Sequence, residues 1–169
     1  MPLVRLARID AAKLTDVQLE HLHYCAAIAS ALQAVRLSAT EMLARPQLHA
    51  KYAADMLHGE LARVETDPRR ALPHLEHAVA AAKQAGRSPA HWYLDQVPLR
   101  LAVGEFQETS DLLKKLLTEH GAEPGVREAV GQLLHALGLK AAPGPRSETA
   151  EIAPESAGET HIWTPGDPE

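Results

Sequence analysis

The sequence predicts an all-α fold, and three observations carry that prediction. Alanine and leucine occur 30 and 24 times against six aromatic residues, whereas a sandwich or barrel draws on β-branched and aromatic side chains. Apolar residues recur at helical spacing along most of the first 138 positions. No run of five or more residues alternates convincingly with a period of two, so strands are not expected.

Each element follows from local signals. Residues 1–14 read as an N-terminal arm, and one or two helices are expected over about 15–44. A further helix over about 47–65, opened by Pro46, carries Leu48, Tyr52, Met56, Leu57 and Leu61. The next, 68–85, has Asp67 as N-cap, Pro68 in its first turn, and Ala71, Leu72, Leu75, Ala78, Val79 and Ala82 on one face. Gly86 ends it. Ser88 and Pro89 repeat the cap-and-proline device before Trp92, Leu94, Val97 and Leu101. Gly104 then separates a helix over 105–119, with Leu112, Leu113, Leu116 and Leu117 as its buried face. The last, 125–137, places Val126, Ala129, Val130, Leu133, Leu134 and Leu137 along one stripe and stops at Gly138. The linkers Glu65-Thr66-Asp67, Ala85 to Ser88 and Gly104 are short, which makes successive helices antiparallel neighbours.

The net charge of −5 is unevenly spread. Residues 1–140 carry 16 basic and 16 acidic side chains, while 141–169 carry a single basic one, Arg146, against six acids. That segment also holds five of the twelve prolines, and its composition predicts a disordered acidic tail. A charge-balanced body without a basic run offers nucleic acid no electrostatic footprint. The lone Cys25 excludes an intrachain disulfide, and no apolar run reaches the eighteen residues of a membrane span. Arginines interrupt the apolar start, so no signal peptide is expected, and the expected location is cytoplasmic.

The stretch from Tyr52 to Val79 resembles a tetratricopeptide (TPR) unit without a gap. Gly59, Ala71 and Ala78 stand at the small places of that 34-residue pattern, and Leu75 at a large one. Setting Gly104-Glu105-Phe106 on the turn gives a second unit over 90–123, with Tyr93, Thr109, Leu113 and Leu116 in register. It departs from the pattern at Val97, where a small residue belongs, and at Pro98, which is expected to kink its first helix. A capping helix over 125–138 follows, with Gly131 and Gly138 in phase. Residues 15–49 fit poorly and read as a divergent unit or a separate hairpin. The resemblance implies antiparallel helix pairs stacked as a short right-handed repeat over residues 15–140, with units at 52–85 and 90–123. It implies a concave face formed by the first helix of each unit. By phase, Met56, Glu60, Arg63, His91, Leu94, Glu128, Gln132 and His135 would face a partner protein or peptide there. A carboxylate clamp of the chaperone type is not implied, because the chain has no asparagine and has Glu60 at a clamp position.

Catalytic motifs are missing: there is no phosphate loop, nucleophile elbow or recurring carboxylate pair, so no enzyme and no cofactor are expected. Ten histidines fall mostly on polar positions and read as solvated; His74 and His77 share a face, but two ligands do not make a metal site. Cys25, in an alanine-rich apolar segment, is expected to be buried. In the tail, Ile162 and Trp163 form a hydrophobic motif at 161–165 that suits docking into a groove. The leading expectation is a non-catalytic protein-binding adaptor without membrane insertion. A structural subunit of a larger assembly, joined through 15–49, is the second reading, and a histidine-based metal protein or enzyme the third.

Overall fold

The computed structural model describes residues 10–138, and its described elements are all helical. The expectations for Ile162, Trp163 and the rest of the tail lie outside the described residues. Two α-helices divide 15–44: α1 (Asp16–Ile28) and α2 (Leu32–Leu43). Thr15 opens α1 with a reciprocal capping box, its hydroxyl accepting from the Gln18 backbone N–H while its own N–H donates to the Gln18 side chain. The chain reverses at Ser30, whose φ of +51° is left-handed without being glycine. That conformation costs about 1–2 kcal/mol, offset by packing of α1 on α2.

The helix expected over 47–65 is two pieces: a 3₁₀ turn at Pro46–Leu48, then α3 (Ala54–Val64) after a bend. Leu48 and Leu57 belong to one buried cluster with Leu19 and Met42. On one straight helix, nine residues at about 100° each would set them on opposite faces. Breaking the helix is what brings both inward.

The later helices follow their local signals closely. They are α4 (Pro68–Gln84), α5 (Ala90–Val103), α6 (Phe106–Glu119) and α7 (Val126–Ala136). Asp67 caps α4 by accepting from the Arg69 N–H at 2.9 Å, and Ser88 accepts from the Ala90 N–H at 3.2 Å ahead of α5. All six residues expected on the inner face of α4 are buried. On α6 only Leu116 of the four leucines is fully buried, and Leu117 faces solvent, because α6 is covered along a narrower strip than four leucines would fill. α5 continues through Pro98 to Gly104, which closes it at φ +86°.

Each helix packs on its neighbour in sequence, and α7 also reaches back to α5. The core is correspondingly divided. Leu19, Met42, Leu57 and Leu61 form one cluster, Ala26, Val35 and Val64 a second, and the α4–α7 region with Trp92 a third. Residues 10–14, part of the expected N-terminal arm, pack on the body. Ala11 is buried, and Arg45 donates to the carbonyls of Ala11, Ala12 and Leu14 while pairing with Asp16 and Glu41.

The tightest seat in the molecule joins α3 to α5. Trp92 is fully buried, and a Cβ built on Gly59 would overlap its six-membered ring. The small residue that the repeat pattern assigns to the crossing within one helix pair instead admits a side chain from the next pair. Burying a ring of this size removes about 150–250 Å² from water, worth roughly 4–6 kcal/mol. Gly59→Ala is therefore expected to lower the unfolding free energy by about 1–3 kcal/mol, read from the urea midpoint. Combined with Trp92→Leu, which empties the contested space, its cost should be less than in the wild-type background. Strict additivity would show that the two residues do not compete for that space.

Candidate functional site

Alternate helices α3, α5 and α7 come together around an open groove of about 480 Å³, completed by Leu75 of α4. Its apolar lining is Ala62 from α3, Leu94, Pro98 and Leu99 from α5, and Ala129 and Leu133 from α7. The charged residues are Arg63, Glu65 and Asp95. Glu65 is already paired with Arg36 at 2.6 Å. Arg63 and Asp95 stand 3.9 Å apart, the first largely exposed and the second about half covered, an arrangement worth at most about 1 kcal/mol and easily exchanged for a ligand's charges. Burial raises the Asp95 carboxyl above its ordinary range, and Arg63 pulls the other way.

Pro98 gives the groove a polar feature. Lacking an N–H, it leaves the Leu94 carbonyl without its usual helical donor, and both residues line the groove. A backbone acceptor beside apolar walls suits an extended peptide, whose N–H groups need partners.

The residues expected to face a partner divide into four sets. Arg63 and Leu94 line the groove. His91 lines an adjoining hollow of about 310 Å³, which Leu94 also borders, together with Pro124 and Val126. Met56, Glu128, Gln132 and His135 are exposed on α3 and α7 but outside the groove lining. Glu60 points to α1 instead, its Oε2 being 2.9 Å from His23 Nε2 though not aligned as a hydrogen bond. The expectation that it faces a partner is corrected: α1 covers that side of α3. The other lining residues, Ala62, Glu65, Leu75, Asp95, Pro98, Leu99, Ala129 and Leu133, are not among those expected from the sequence. Of these only Pro98 carried a local signal, as a proline inside a helix.

Two further expectations are corrected. His23 is buried, bridging α1 to α2. The Ser38 hydroxyl donates to the Ala34 carbonyl, so it accepts from His23 Nδ1–H at 2.9 Å. Cys25 is exposed, because α1 buries Leu19, His23 and Ala26 and leaves the opposite face to solvent. Among the described residues, no group of three or more His, Cys, Asp or Glu side chains is placed so that it could hold a metal ion. No described helix is long and apolar enough to cross a membrane.

Compared with protein-family models, curated proteins and solved structures, the chain matches none.

Proline inside a helix costs stability through the hydrogen bond it removes. Pro98→Ala is expected to raise the urea midpoint, by about 1–2 kcal/mol in unfolding free energy, since it restores an α5 hydrogen bond. A fall in the midpoint would mean that the ring's packing outweighs the bond it removes.

Proposed function

We propose that this chain is a non-catalytic protein-binding module, a TPR-like stack of helix pairs whose α3–α5–α7 groove receives an extended segment of another protein. The observation that carries the reading is the groove itself. It is apolar on three alternate helices, and it combines a loosely held Arg63–Asp95 pair with a carbonyl freed by Pro98. The repeat reading is supported by helices that pack in sequence order. An adaptor of this kind suits the cytoplasm, where an exposed lone thiol such as Cys25 stays reduced.

Affinity capture from lysate with the full chain tests the reading. Leu94→Glu and Arg63→Glu are each expected to lower partner retention at least tenfold, with the helical circular dichroism kept. Arg63 is exposed, so its substitution leaves the core intact. Undiminished retention by both variants would remove the groove from the account. A chain ending at Lys140 separates the groove from Ile162 and Trp163: retained capture assigns the partner to the body, and lost capture assigns it to the tail.

One observation favours a second reading, a subunit of a larger assembly. Val17, Tyr24 and Ile28 are exposed at 77%, 63% and 68%, and they fall on one stripe of α1, with Leu32 exposed beyond it. On this reading light scattering gives a mass at least twice that of the single chain, and Ile28→Glu returns it to one. A wild-type monomer at about 100 μM would end it, since an obligate interface holds at far lower concentration.

A further inference from the structure

The groove lies where the chain leaves the helical body. Ala129 and Leu133 of α7 line it, and Gly138, where the described residues end, follows Leu133 by only five positions. Residues 139–169 lie beyond that point. After Leu139 their large apolar side chains are Ile152, Ile162 and Trp163, and from 141 onward six acids stand against the single base Arg146.

We propose that segment 159–165 of the chain itself occupies the α3–α5–α7 groove, with Trp163 as its anchor, and so competes with an outside partner; the competition, though not the contact, rests on the proposed function. The charges match. Arg63, the cation of the lining, has a side chain 64% exposed and is held only by the loose contact with Asp95. The segment brings Glu159 for Arg63 and, two residues on, His161, whose ring N–H donates to a carboxylate, for Asp95. Residues i, i+2 and i+4 of an extended peptide share one side. Trp163 therefore follows Glu159 and His161 toward the apolar walls of Leu94, Leu99 and Leu133. A tryptophan is well suited to anchor a peptide in such a hollow.

Reach does not limit the contact. The 25 residues from Gly138 to Trp163 span up to about 80 Å, against about 20 Å across three packed helices. The exposed stripe of α1 is the rival seat, and it is less suited. It is the convex face of one helix, and the cations beside it are engaged, Lys51 with Glu20 and Arg45 with Asp16 and Glu41. A ligand joined to its own site is present at an effective concentration of about 1 mM. An intrinsic Kd of about 100 μM, weak for a peptide, then leaves the groove about 90% filled and weakens an outside ligand about tenfold.

Fluorescence anisotropy of a labelled synthetic peptide of residues 157–167, titrated with the full chain, tests the contact without an outside partner. The Trp163→Ala chain lacks the anchor and is expected to bind the peptide with a Kd on the order of 100 μM, about tenfold tighter than the filled wild type. Adding Leu94→Glu or Arg63→Glu to the Trp163→Ala chain should weaken the peptide at least fivefold, whereas adding Ile28→Glu on α1 leaves it unchanged. Arg63 is exposed, so its variant keeps the test decisive even if Leu94→Glu is unstable. Equal peptide binding by wild type and Trp163→Ala, or none by either, would overturn the proposal. So would loss of binding with Ile28→Glu alone, which would place the segment on α1. A wild type that is dimeric by light scattering and becomes monomeric as Trp163→Ala would place the segment in the groove of a second copy and overturn the intramolecular contact. The outcome is separable from lysate capture: an empty capture leaves this contact standing, and an unfilled groove leaves outside partners free to bind.

Discussion

The seat of Trp92 against Gly59 sets the register of the molecule. It fixes how far α5 lies from α3, because a single added methyl on Gly59 would meet the ring. The same ring is held at its polar edge, where Nε1–H donates to Asp55 at 3.4 Å and Arg87 neutralises that buried carboxylate. Asp55 lies in the first turn of α3, where a negative charge is favoured by the helix dipole. The groove inherits its shape from this seat. Ala62 and Arg63 lie one turn beyond Gly59 on α3, and Leu94 and Asp95 follow Trp92 on α5. Moving the seat by the width of a methyl group would therefore move both walls together.

A chain built this way has no single centre. Its three buried clusters follow one another, the first two around α1–α3 and the largest around α4–α7. Stability is then chiefly a sum over neighbouring interfaces. At the N-terminal end, polar anchors reinforce these interfaces. Arg45 ties the segment before α1 to the end of α2, and the His23–Ser38 bond ties α1 to α2 from within. The exposed apolar stripe of α1 is the other consequence of lying at an end.

Local chemistry made the C-terminal two thirds readable. Asp67-Pro68 at one end and Gly86 at the other bracket α4, and its apolar spacing placed all six inner residues correctly. The N-terminal third lacked such punctuation. Its sharp reversal rests on Ser30 rather than on glycine or proline, and the break before α3 follows from the need to turn Leu48 and Leu57 to one side. The burial of His23 and the exposure of Cys25 are settled by which helix lies over α1, information that is not local. For the groove, helical phase pointed to the right helices and found Arg63 and Leu94, yet it favoured polar residues on the outer rim. The apolar lining of Ala62, Leu75 and Leu133 reads as ordinary core until the neighbouring helices leave part of it uncovered.

α3 takes part both in the hairpin with α4 and in the groove, and that sharing has a physical consequence. His58 and Gly59 are adjacent, so their positions differ by about 100° around the helix: one meets the histidines of α4, the other the ring of Trp92. Anything that draws α3 toward α4 through His58 must also turn Gly59 relative to Trp92. A packed aromatic against a bare backbone has little room to absorb such a turn, since dense interiors transmit displacement. The α3–α4 hairpin and the α3–α5 groove thus adjust as one unit. A shift of α3 at the hairpin therefore reaches the groove wall that carries Ala62 and Arg63.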